Sequence, residues 1–238
     1  MKLFNRLFTS SLGRKFLMAL TGLILLGFVA GHMVGNLQVF LGPESLNRYG
    51  HFLQGLGELL WLVRLALLAT VAVHIWAAVT LTLANRAARP ISYADAALPA
   101  ASYASRTMIW SGVIIAAFIV YHLLHYTVKA PGVNLTGQDF HAFTYRLADG
   151  TPCHDIYKMV ILGFSQPAVA GFYAIAVGLL CWHLSHGVRA LCQSLGFGVE
   201  AWKPLVDRFA TGFAWVLFLG YVSIPIAVLC GYGKEVLK

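Results

Sequence analysis

Between Lys15 and Gly42 the chain has the sequence FLMALTGLILLGFVAGHMVGNLQVFL (residues 16–41), which contains no charged side chain. A helix that crosses a bilayer needs about 20 mainly apolar residues, so this segment is long enough to cross once. It also contains His32, and an ionisable side chain at that depth is costly unless it has a partner or a function. The segment therefore predicts a membrane helix that carries a functional residue.

Four further segments share this apolar character. None shows the alternating pattern of a barrel strand, and a backbone in lipid must satisfy its own hydrogen bonds, so all five are predicted to be helices. We expect an all-α integral membrane protein with five transmembrane helices, a single membrane domain over residues 1–238. The predicted helices are residues 16–41, 59–83, 108–128, 169–191 and 209–230.

Composition and charge agree with a membrane location. Hydrophobic residues make up 59% of the chain and charged residues 11%, against about 25% charged in soluble proteins. The net charge of +8 comes from short basic clusters between apolar segments, which is typical of cytoplasmic loops and not of nucleic-acid binding. The four cysteines form no CxxC pair and predict neither a disulfide framework nor a metal site.

The distribution of Lys and Arg predicts the orientation. The first 16 residues, MKLFNRLFTSSLGRKF, are basic and amphipathic, which indicates an interfacial segment leading into an uncleaved first helix. Positive residues are more numerous on the side that holds the N-terminus. We therefore expect a cytoplasmic N-terminus and an outer C-terminus.

Six of the nine histidines fall in predicted helices, and their depths sort them into layers. A lone histidine could simply bond a neighbouring helix. However, His32 and His122 lie roughly 25 and 24 Å from the inner ends of their helices. His74 and His183 lie roughly 18 and 9 Å from theirs, so the four form an outer and an inner layer about 10 Å apart.

Two histidines facing each other are what a six-coordinate haem iron requires, and bundle cores often hold such cofactors. The two layers therefore predict two b-type haems with one ligand from each of four helices. His125 and His186 each lie one turn from a predicted ligand. They could be alternative ligands, haem-propionate partners or hydrogen-bonded neighbours.

A small-residue pair recurs before two of these histidines. Thr21-Gly22 precedes His32, and Ser111-Gly112 precedes His122, with nine residues between in each case. Glycine would let the backbone approach a flat partner closely, although ordinary helix packing also uses small residues.

Several motifs together resemble the single-chain, dihaem cytochrome b anchor of succinate:quinone oxidoreductases (succinate dehydrogenases) and quinol:fumarate reductases. They are GHMVGNLQ (31–38), GPESLNRYGHF (42–52), FIVYH (118–122), and GFY (171–173) followed by WHLSHG (182–187). The resemblance implies that His32 and His122 bind a distal haem iron and His74 and His183 a proximal one. It selects His122 over His125 and His183 over His186.

The resemblance also implies partners and a location. Partner subunits on the cytoplasmic side would carry FAD and iron–sulfur clusters, for which this chain has no motif. This chain would pass electrons between the iron–sulfur subunit and a quinone, with menaquinone favoured, in the cell membrane of a prokaryote. Oligomeric state and direction of turnover stay open.

Other charged residues suggest roles near these cofactors. Arg14, Arg106 and Arg189 are candidate partners for haem propionates, although positive-inside topology explains them equally. Quinone reduction needs protons at the carbonyl oxygens. The candidate quinone-site residues are Glu44, His51, Arg64 and His125.

Two other functions fit part of the pattern. One is a haem-binding subunit of a different membrane redox complex. The other is a non-redox transporter whose buried histidines relay protons.

Overall fold

The computed structural model describes residues 2–88, 103–196 and 201–237. Within these ranges the chain is almost entirely helical. The helices are α1 Lys2–Thr9, α2 Ser11–Leu37, α3 Pro43–Gly55, α4 Glu58–Ala87, α5 Tyr103–His122, α6 Ile156–Phe164, α7 Pro167–Ser194 and α8 Lys203–Leu229.

Five helices in the described residues are long and apolar enough to cross a membrane. They are α2, extended to Leu41 by a 3₁₀ turn, α4, α5, extended to Thr127 by a π-helical turn, α7 and α8. The prediction of an all-α integral membrane protein is confirmed. Each predicted segment lies inside one of these helices to within one residue. The helices extend further because backbone hydrogen bonding continues into the polar ends, which an apolar pattern does not mark.

Contacts divide the chain into two compact units. The first contains Met1–Val29, Val63–Val113 and Trp182–Ala214, and the second contains Ala30–Leu62, Ile114–Cys181 and Trp215–Lys238. The single membrane domain stays a prediction. Each unit contains one of the predicted histidine pairs.

The second unit has a core that was not predicted, because its two short helices lie in polar connections. Helix α3 begins after Gly42, whose φ of 91° is accessible to glycine, and has proline in its first turn. Helix α6 is capped by Asp155, which accepts a hydrogen bond from the Lys158 amide. A two-stranded antiparallel hairpin, β1 Thr144–Arg146 with β2 Pro152–His154, precedes it. The core side chains include Val39, Leu46, Phe118, Tyr157, Ile161 and Val228.

Asn47 joins α3 to the start of α6. Its side chain is fully buried, donates to Asp155 Oδ1 at 3.0 Å and accepts from the Tyr157 amide at 2.9 Å. Replacement with alanine leaves a buried amide N–H without its partner, so we expect a loss of about 1–3 kcal/mol in the free energy of unfolding. Thermal unfolding of the purified protein measures this. The exposed Gln54 of the same helix, replaced with alanine, is the control, and equal stability of both variants would contradict the role of Asn47.

His154 makes part of the second unit sensitive to pH. Its Nδ1 donates to the Phe143 carbonyl at 2.8 Å, and its Nε2 lies 3.4 Å from Lys129 Nζ. Burial and then the Lys129 ammonium lower the pKa of His154 from 6.5. The neutral form is therefore the one that the fold stabilises. This contribution is complete above pH 6.5 and is lost as the pH falls through the lowered pKa.

We therefore expect the unfolding temperature to fall between pH 7 and pH 5, and to fall less in His154→Gln, whose side chain does not titrate. Thermal scans across this range measure the effect. Parallel curves for the two proteins would show that other groups set the acid sensitivity.

Candidate functional site

His32 and His122 face each other within the second unit. Helix α2 carries His32 and helix α5 carries His122, and their ring centres lie 5.8 Å apart at 83°. Two imidazoles that hold one metal ion from opposite sides, at about 2 Å each, have ring centres roughly 6 Å apart. The observed separation therefore suits a pair of axial ligands, as the sequence predicted for this layer.

Tyr173 of α7 connects His122 to its neighbour His125. The Tyr173 hydroxyl oxygen lies 3.3 Å from His122 Nδ1 and 3.1 Å from His125 Nδ1. A phenol has one proton, so it donates to one imidazole and accepts from the other. The contact leaves His122 Nε2 available as a ligand. Sequence reasoning did not identify Tyr173, although it ends the GFY motif.

His125 is enclosed, being 1% exposed and stacked on Tyr126 at 3.9 Å and on Phe140 at 5.7 Å. It lies in the π-helical turn at Leu123–Thr127, a feature common at functional sites. Its Nε2 and the Tyr126 hydroxyl have no hydrogen-bond partner among the described residues. A Cβ on Gly163 would lie 3.2 Å from that nitrogen. This packing suits a hydrogen-bonded neighbour of the pair better than a residue in contact with quinone.

His74 of α4 and His183 of α7 are the second predicted pair, and both lie in the first unit. Thr21 Oγ1 lies 3.0 Å from His74 Nδ1, and Ser111 Oγ lies 3.1 Å from His183 Nδ1. The repeated small-residue pairs therefore contact His74 and His183, not the histidines that follow them on their own helices.

The imidazole nitrogens of the four candidate histidines fit a haem better than a metal ion whose ligands all come from the protein. Three of the four candidate ligands have Nδ1 engaged with a hydroxyl, which orients the ring and leaves Nε2 for a metal. No group of three or more His, Cys, Asp or Glu residues could hold a metal ion in the part of the chain that the structure describes. Haem iron needs only axial ligands from the protein, and two facing histidines supply them.

Two of the three arginines predicted near propionates have other partners. Arg14 donates to the carbonyls of Phe8 and Thr9 at the end of α1. Arg189 donates to Asp207 at 2.7 Å and to Thr211 at 2.7 Å, which ties α7 to α8. The side chain of Arg106 lies outside the described residues. Their role toward propionates stays a prediction.

The remaining candidates for the quinone site are placed differently. Glu44 accepts hydrogen bonds from Arg48 at 2.6 Å and from the Ala148 amide at 3.1 Å, so it tethers the loop after β1. His51 is exposed on α3, and Arg64 is exposed on α4. Of the four predicted residues, His51 has both an exposed side chain and an imidazole, which can donate a proton.

The fold and the paired histidines define a class: an all-α, multi-pass membrane protein with half-buried histidines at paired positions in its helices. Residues 84–224 match the family described as succinate dehydrogenase/fumarate reductase transmembrane subunit. Because the match covers more than half of the chain, the protein belongs to this family. Comparison with curated proteins and with solved structures gives no match to either.

Membership establishes the general role of the chain. It is a membrane anchor subunit of a succinate dehydrogenase or fumarate reductase complex, whose other parts are a flavoprotein and an iron–sulfur subunit. Haem, cytochrome b and quinone are typical of the family. The matched range contains His122 and His183 but not His32 and His74, so the interpretation of the last two depends on their geometry.

Proposed function

We propose that this anchor passes electrons between the iron–sulfur subunit and a membrane quinone through two b haems. The observation that carries the proposal is the pairing of histidines from different helices, with His32 and His122 at 5.8 Å. His32 and His122 would hold one haem, and His74 and His183 the other. Bound haem supplies reversible one-electron chemistry at a potential set by its ligands and surroundings.

The residues of the chain orient and shield these sites. Hydroxyls of Thr21, Ser111 and Tyr173 hold the imidazoles of His74, His183 and His122 by Nδ1. The Phe118 ring centre lies 5.9 Å from that of His122 and 5.0 Å from that of Tyr173, which places an apolar ring beside His122. Apolar side chains near a ligand contribute to the potential of a bound haem.

The quinone would be reduced on the side of the His32 and His122 pair, with menaquinone the expected type. Reduction of each carbonyl requires a proton donor within hydrogen-bond reach. We propose His51 as the first candidate, since it is exposed and titratable. Glu44 is a weaker candidate because Arg48 and a backbone amide already engage its carboxylate.

The orientation follows the positive-inside rule. The N-terminus is proposed to face the cytoplasm of a prokaryotic cell, and the flavoprotein and iron–sulfur subunits dock on that side. By their depth along the predicted helices, roughly 18 and 9 Å from the inner ends, His74 and His183 are proposed to hold the haem that receives electrons from the iron–sulfur subunit.

The complete complex, purified in detergent, tests this function. Succinate should reduce b-type haem in the complex, and a menaquinone analogue should reoxidise it. A complex that contains no b haem would contradict the two proposed haem sites. Haem that succinate does not reduce would contradict its proposed place between the iron–sulfur subunit and the quinone.

A further inference from the structure

Two hydroxyl side chains hold equivalent places against the His74 and His183 pair. Thr21 is 7% exposed and Ser111 is 4% exposed, so both are buried in helices. Each lies about 3 Å from an imidazole Nδ1, Thr21 at 3.0 Å from His74 and Ser111 at 3.1 Å from His183. In both cases the hydroxyl contacts the same imidazole atom, Nδ1, which indicates a shared role.

The direction of these hydrogen bonds follows from the backbone. Thr21 Oγ1 donates its proton to the Leu17 carbonyl at 2.7 Å, and Ser111 Oγ donates to the Met108 carbonyl at 3.0 Å. A hydroxyl has one proton, so each oxygen is left to accept from the imidazole.

This arrangement selects one tautomer of both imidazoles. With the proton on Nδ1, the lone pair lies on Nε2, which is the atom free to bind iron. The hydroxyls therefore prepare His74 and His183 as ligands. An aliphatic side chain at either position would remove the acceptor and leave a buried N–H unpaired.

The glycine that follows each hydroxyl lies beside the same ring. A Cβ on Gly22 would lie 3.5 Å from His74 Cε1, and a Cβ on Gly112 would lie 3.7 Å from His183 Cε1. These are ordinary contact distances, so alanine would fit at either position. In each small-residue pair the hydroxyl is hydrogen-bonded to the imidazole Nδ1 and the glycine lies beside Cε1.

We propose that Thr21 and Ser111 are positioning residues that fix the tautomer of His74 and His183 and lower the potential of the haem these two would bind. The proposal rests on the proposed function. An acceptor at Nδ1 makes the imidazole a stronger electron donor, which stabilises oxidised iron. His122 instead contacts the Tyr173 hydroxyl, which is shared with His125, so the effect belongs to one pair.

Redox titration of the complete complex tests this, with the variants Thr21→Val and Ser111→Ala. In each variant we expect one of the two haem midpoints to rise, with the ratio of reduced to oxidised haem at the wild-type midpoint increasing about tenfold, or about 59 mV for one electron. The affected haem should be the one that is missing in His183→Ala. Its low-temperature electron paramagnetic resonance signal should shift as well.

Two controls separate this role from helix packing. Thr21→Ser keeps the hydroxyl and should retain both wild-type midpoints. Thr82→Val removes a hydroxyl that donates to the Ala78 carbonyl at 2.7 Å within its own helix, and it should change neither haem. If Thr21→Val fails to assemble, Ser111→Ala decides, since it removes only one oxygen.

Unchanged midpoints and spectra in both variants would overturn the proposal, as would a shift in the haem that His183→Ala retains. A wild-type complex without two b haems would instead overturn the proposed function. The two failures are therefore distinguishable.

Discussion

Replacement of His183 with alanine is expected to reduce the haem content from two b haems per chain to one. His183 is the α7 residue whose Nδ1 lies 3.1 Å from Ser111 Oγ, and it lies in the same unit as His74. In the proposed site this change would leave His74 as the single ligand, so the haem would not be retained. Haem extraction and quantification per chain, with the reduced-minus-oxidised spectrum, measure the loss. Electron transfer from succinate to quinone should be abolished in the same preparation.

His186→Ala is the matched control, three residues along the same helix. His186 is half-buried and is not the histidine that Ser111 contacts. We therefore expect two haems per chain in this variant. One haem in His186→Ala together with two in His183→Ala would reverse the assignment of the α7 ligand.

Replacement of His122 with alanine is expected to remove the other haem and to leave the haem of the His74 and His183 pair in place. His122 faces His32, with ring centres 5.8 Å apart. The remaining haem should still be reduced by succinate, whereas quinone reduction should be lost. Comparison of the α-band with that of His183→Ala measures this, because the two variants should retain different haems.

His125→Gln tests whether the neighbouring imidazole could serve instead. The His125 ring stacks on Tyr126 and Phe140, and its Nδ1 is hydrogen-bonded to the Tyr173 hydroxyl. We therefore expect that it is not a haem ligand. Two haems per chain are expected in His125→Gln. A preparation with one haem would identify His125 as the ligand and would refute the assignment of His122.

Sequence patterns predicted the five membrane helices because lipid demands long apolar helices with internally satisfied backbones. The short helices α3 and α6 were not predicted. They lie in polar connections, and contacts such as that of Asn47 with Asp155, 108 residues apart, stabilise them. No local pattern in the sequence contains such a contact.

The candidate site was likewise predicted only in part from the sequence. Depth alone paired His32 with His122, and their rings do face each other. The Thr21-Gly22 and Ser111-Gly112 repeats were recognised but were associated with the histidines on their own helices. Their partners His74 and His183 lie on other helices, and spacing along one chain segment does not reveal which helices are neighbours.

The number of haems in the wild-type complex tests the pairing of the four histidines most directly. Extraction of haem from the purified complex, with protein quantified by amino-acid analysis, gives the ratio of b haem to this chain. We expect two b haems per chain, with two resolved steps in a redox titration. A ratio of one or zero would contradict the pairing of four histidines from four helices as two haem sites.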